Sequence, residues 1–229
     1  VAATGRRRFR LPRLEEETHT PAEELANVLT HGLGAALACA GLAALLAIGA
    51  MADDPLLAGG LAVYGVTLTL VYAASALYHG TGHPRLRDLF KRFDQAAIFL
   101  FIAGSYTPFA LYVLGGGPGW GLLGLVWALA LAGIVFKTVF HQRLEWATVG
   151  FYLAMGWVGI AALGPIAAGL GPGGTALLVG GGVAYTAGIA FYVWHALPFN
   201  HAVWHVFVMV GSALHFAAVV GYVALPEIA

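Results

Sequence analysis

Residues 32–52 read GLGAALACAGLAALLAIGAMA. No charged side chain interrupts them, and the length is what an α-helix needs to cross the ~30 Å hydrocarbon core of a bilayer at 1.5 Å per residue. Upstream, Thr20-Pro21-Ala22-Glu23 has the form of a helix start. Thr20 is the N-cap, Pro21 takes the first helical position, and Glu23 can reach back to close a capping box. Downstream, Asp53-Asp54-Pro55 ends the run.

The same reading continues along the chain. Further apolar stretches lie at about 57–79, 94–114, 119–140, 146–166, 174–195 and 201–224, so the sequence predicts an all-α polytopic membrane protein with a bundle of seven transmembrane helices. Long unbroken apolar runs lack the two-residue alternation of an outer-membrane barrel. The abundant glycines suit close helix–helix contact. Residues 1–23 form a polar tail, with Arg6, Arg7, Arg8, Arg10 and Arg13 ahead of Glu15, Glu16 and Glu17, and residues 24–229 form the transmembrane domain. The tail lacks the pattern of a cleaved secretory signal.

Composition agrees. The 229 residues are 60% hydrophobic and only 10% charged, against ~25% charged in a soluble domain. That excludes a disordered chain and makes a soluble globule untenable. A formal net charge of zero argues against a nucleic-acid binder. A single cysteine, Cys39, cannot form an internal disulfide, and it reads as a small buried apolar residue.

All eleven Lys and Arg fall on one side of the predicted bundle: five in the tail, Arg85, Arg87, Lys91 and Arg92 between the second and third stretches, and Lys137 and Arg143 near the fourth gap. The positive-inside rule then places the N-terminus in the cytoplasm and, with seven passes, the C-terminus outside the inner membrane.

The costly polar residues converge on that cytoplasmic end. His79 closes the second stretch, Asp94 opens the third, and His201 and His205 open the seventh. Spacing of i, i+4 lets His201 and His205 project from one helix face, which is half a transition-metal site. His79 is the natural third ligand, and three imidazoles with an open position form the catalytic zinc pattern. Ser75 lies one turn before His79 on the same face. Asp94 fits as a base or orienter, and Ser75 as an aid to a developing oxyanion. Plainer readings compete: interfacial histidines tolerated among headgroups, Asp94 as a helix N-cap or a partner of Lys91 or Arg92, and Ser75 bonded to its own backbone. Glu24, Asn27 and His31 share one helical stripe, either solvated or supporting the site from behind. His215 lies ~15 Å deeper than His205, too far to share a metal, and reads as an interhelical hydrogen bond or part of a polar path. Ser105, Thr107 and Pro108 read as a kink with its backbone repair.

These strings resemble the progestin and adipoQ receptor family in its bacterial hemolysin III-type branch: Glu24-Leu-Ala-Asn27-Val-Leu-Thr30-His31, Ser75-Ala-Leu-Tyr-His79, Asp94 with the later Ile98–Pro108, His201-Ala-Val-Trp-His205 and Ser212-Ala-Leu-His215. The likeness covers about residues 22–224. It implies seven helices and a buried zinc held by His79, His201 and His205, with Ser75 and Asp94 close by. The wider superfamily includes alkaline ceramidases, so it also implies hydrolysis of a membrane lipid amide or ester. Alternatives from other classes are a receptor or regulator of membrane lipid state with a structural zinc, a pore or transporter using His215 and Ser105, and a bis-histidine haem protein. Pairing on one helix face disfavours the last.

Overall fold

The computed structural model describes residues 19–140 and 145–227. Among them the fold is helical throughout. Helix α1 spans Pro21–Met51, α2 Pro55–Gly80, α3 Pro84–Pro108, α4 Gly116–Phe140, α5 Glu145–Trp157, α6 Leu163–Tyr192 and α7 Asn200–Val219. Most of the basic tail lies outside the described residues.

The capping box at Thr20 forms as expected. Glu23 N donates to Thr20 Oγ1 at 3.3 Å, and Thr20 N donates to Glu23 Oε2 at 2.8 Å. Asp54 caps α2, accepting from the amides of Leu56 and Leu57. A hydrogen bond from Tyr112, and then these amides, hold its carboxyl below the usual carboxylate range.

Among the described residues six helical runs are long and apolar enough to cross a membrane, and the chain is a multi-pass membrane protein. The stretches 146–166 and 174–195, which hydropathy separates into two passes, lie within one helical run, Glu145–Tyr192. Two features interrupt it. A 3₁₀ segment, Val158–Ala162, joins α5 to α6, and Gly171 inside α6 has φ 66° and ψ −179°. A side chain would be strained in that conformation, and Pro172 follows with no amide to donate.

α3 also departs from expectation. The charged segment after Pro84 is not a loop. The helix begins there, ten residues before Asp94, so Asp94 is an interior residue and not an N-cap. At the other end Pro108 removes a backbone donor, and the helix widens into a π-helical turn, Phe109–Leu114. The hydroxyls of Ser105 and Thr107 donate to the carbonyls of Ile102 and Ala103, in the turn before the Gly104 carbonyl that Pro108 leaves without its amide.

α2 packs between α1 and α3, while α7 lies against α1 and α6. The core of Leu45, Leu57, Leu61, Tyr64, Leu68, Val71 and Phe101 lies among these helices. A second cluster, Phe99, Ala103, Val126, Ala130 and Met155, joins α3, α4 and α5. The outer surface is apolar as well. Leu25, Leu29, Leu33 and Leu37 form an exposed column along α1 at i, i+4 spacing, a surface suited to lipid tails and not to water. Cys39 lies on the exposed side of α1, not in the interior. α1 thus has two faces: leucines outward, and Asn27, His31, Gly34 and Ala38 inward.

Candidate metal centre

The end of the bundle where α2 stops and α7 starts collects the polar groups. His79 occupies the last turn of α2, and His201 and His205 the first turns of α7. All three are buried, His205 completely. Their ring centroids are 4.6–5.3 Å apart: His79–His201 4.9 Å, His79–His205 5.3 Å and His201–His205 4.6 Å. One ring nitrogen from each lies within 4.8 Å of the others, so the three could hold a single metal ion. The plain reading of histidines scattered at the headgroup level does not describe this clustering.

The donor set suits such an ion. Among the described residues, His79 Nε2 and His205 Nε2, like His31 Nε2, are buried and have no hydrogen-bond partner, although an unpaired polar atom in an apolar interior costs about 1–3 kcal/mol. Their other nitrogens are engaged. His79 Nδ1 is 2.7 Å from Glu24 Oε2, and His205 Nδ1 is 3.1 Å from Thr30 Oγ1. Imidazoles bonded through one nitrogen, with the other left open, are in the state a metal requires.

The stripe on α1 is part of the site. Asn27 is fully buried, with its amide nitrogen 3.5 Å from His79 Nδ1. The His31 ring stacks on His205 with centroids 3.4 Å apart. His31 Nδ1 is 2.7 Å from Ser75 Oγ, and Ser75 in turn hydrogen-bonds Asp94. Ser75 therefore links His31 to Asp94. Glu24 also pairs with Arg87, whose guanidinium lies 4.7 Å over the Tyr78 ring. At the start of α7 the Phe199 amide donates to Glu23 Oε1 at 3.1 Å. The first two turns of α1 thus tie down the end of α2, the start of α3 and the start of α7.

Sequence reading missed two members. Thr30 sits inside the Glu24–His31 string but offers no pattern of its own. His19, one residue ahead of the helix cap, has its ring 5.0 Å from His201 and 6.1 Å from His79. His215 stays apart from the cluster, and its Nε2 donates to the Leu178 carbonyl on α6 at 3.0 Å, an interhelical bond.

A cavity of about 290 Å³ opens beside the cluster. Asp94, His31 and His201 line one part of it, and Phe101, Ile160, Ile166 and Leu178 are among its apolar walls. Polar chemistry at one place and a long apolar volume next to it suit a ligand with a head and a tail.

Comparison with known proteins agrees with the motifs. The family described as Haemolysin-III related matches residues 19–216. Hemolysin-3 of Bacillus cereus is 43% identical over 201 residues, covering 88% of this chain and 92% of that protein. The Hemolysin-3 homolog of Bacillus subtilis (strain 168) is 42% identical over 200 residues, covering 87% and 94%. The human Monocyte to macrophage differentiation factor is 28% identical over 170 residues, covering 70% and 68%. The match spans every helix that contributes to the histidine cluster, and the chain belongs to the haemolysin-III related family of membrane proteins.

Proposed function

We propose that the chain is a seven-pass protein of the inner membrane that binds one zinc through His79, His201 and His205 and hydrolyses a lipid amide on the cytoplasmic side. The observation that carries the reading is the pair of buried, unpartnered Nε2 atoms on His79 and His205 beside His201. Bound there, zinc would polarise a carbonyl and make water nucleophilic near neutral pH. The chain's own groups divide the remaining work. Asp94, at the cavity wall, accepts the proton of the attacking water and returns it to the leaving amine. Ser75, bonded to Asp94 and to His31, orients the carboxyl group. The apolar walls hold the acyl chain and keep bulk water out.

Seven passes are supported by the length of the run Glu145–Tyr192. Its 48 residues would measure ~72 Å as a straight helix, more than twice the ~30 Å core. Reversal near Gly171-Pro172 makes it two. The one-sided distribution of Lys and Arg supports a cytoplasmic tail over residues 1–23 and an external C-terminus.

Metal analysis of purified protein, combined with turnover of defined lipid amides, tests the proposal. About one zinc per chain is expected, with occupancy lost when the three histidines are replaced by Ala. Asp94→Asn should keep the zinc and lose at least a hundredfold in turnover, about the usual weight of a general base. Full zinc content in the triple variant would refute the assignment. Zinc binding with no turnover of any lipid amide would leave the ion a structural clip between α2 and α7.

A further inference from the structure

His79 and His205, whose Nε2 atoms are open, are held from behind by one helix. Each contact settles where the ring proton sits. Glu24 Oε2 lies 2.7 Å from His79 Nδ1, and the other Glu24 oxygen pairs with Arg87. A carboxylate facing a guanidinium has no proton to give, so it accepts, and the hydrogen is on His79 Nδ1. The Asn27 amide nitrogen, 3.5 Å from the same atom, is at the limit of hydrogen bonding and does not compete.

Thr30 reaches the same result by a different route. Its hydroxyl has one proton, and two backbone carbonyls take it, Ala26 O at 2.8 Å and Asn27 O at 3.0 Å. Toward His205 Nδ1, at 3.1 Å, the oxygen can then only accept. The hydrogen is again on Nδ1. In both rings the lone pair is left on Nε2, the atom that has no partner.

We propose that Glu24 and Thr30 are positioning residues: they fix His79 and His205 as Nδ1–H tautomers and so prepare both Nε2 atoms to bind the metal. This inference rests on the zinc reading above and adds the two residues that make α1 a template for it. Neither residue touches the ion. Outer partners of this kind typically change metal affinity by about ten- to a hundredfold.

The test uses purified full-length protein and zinc itself, with affinity measured by chelator competition. Thr30→Val keeps the shape and removes the acceptor. Glu24→Gln keeps the size and removes the charge. Both should still take up one zinc at saturation, with affinity about ten- to a hundredfold weaker than wild type, and Thr30→Ser should restore it. Thr30→Val should lower the melting temperature of the zinc-loaded protein more than that of the metal-free protein, which a merely structural hydroxyl would not do. Unchanged affinity in Thr30→Val, or an equal loss of stability with and without metal, overturns the proposal. Because Glu24 also anchors Arg87, Thr30→Val decides the matter if Glu24→Gln does not fold. Wild-type protein that takes up no zinc would instead sink the zinc reading itself.

Discussion

The indole nitrogen of Trp157 donates to Thr186 Oγ1 at 3.0 Å across 29 residues of sequence. In a straight helix these residues would be ~43 Å apart. The run Glu145–Tyr192 therefore does not extend as one rod, and the break at Gly171 is where its two arms separate.

This relationship makes the topology measurable. On the proposed seven-pass reading both arms cross and the number of passes is odd, so the two termini should lie on opposite sides of the membrane. A reporter active only outside the cytoplasm should be active when fused to the C-terminus. One that fluoresces only in the cytoplasm should fluoresce at the N-terminus. Both termini on the same side would mean an even number.

Removing the metal should loosen the end of the bundle. A ligand at a hundred times its Kd stabilises the folded state by about 2.7 kcal/mol. Zinc should therefore raise the melting temperature in detergent and a strong chelator should lower it. The same additions should leave His205→Ala unmoved. An equal response in that variant would place the metal elsewhere.

Close packing of α3 on α4 depends on Gly133. A Cβ there would collide with the ring of Phe99, which is fully buried and has no room to retreat. Gly133→Ala should cost about 1–3 kcal/mol, read as a lower melting temperature. Gly32 has open space where its Cβ would go. Gly32→Ala should be neutral or stabilise α1 by up to about 1 kcal/mol. Similar losses in both variants would contradict the packing account.

Tyr106 on α3 supports the change from α5 to the 3₁₀ segment. Its hydroxyl donates to Gly156 O at 2.5 Å and accepts from the Gly159 amide at 3.0 Å. Tyr106→Phe leaves both backbone groups without this partner and should cost about 1–3 kcal/mol. A melting temperature equal to wild type would show that the hydroxyl is dispensable.

Much of this molecule is legible in its sequence because lipid simplifies the problem. Hydropathy and length mark the crossing helices, and Thr20 and Glu23 mark the first cap. Polar residues are so few that His79, His201 and His205 could be grouped by depth alone. Other features depend on tertiary contact. The amphipathic start of α3 reads as a loop because its charges break the apolar run, although the helix already begins at Pro84. Cys39 looks suited to an interior but faces outward, since apolar residues are at home on both sides of a membrane helix. Thr30 gives no hint of His205, 175 positions away. The break at Gly171 inside α6 is visible in hydropathy, while helix geometry alone runs the two arms together.

The histidine cluster draws on the first, second and last helices of the chain. During synthesis α1 and α2 leave the ribosome with Glu24 and His79 already able to meet, but His201 and His205 arrive only after α3 to α6 have been made. A molecule truncated between His79 and Asn200 has one of the three imidazoles and nothing to share a cation with. Completion of the cluster therefore waits on α7, and a late assembly step is built into the order of the helices themselves.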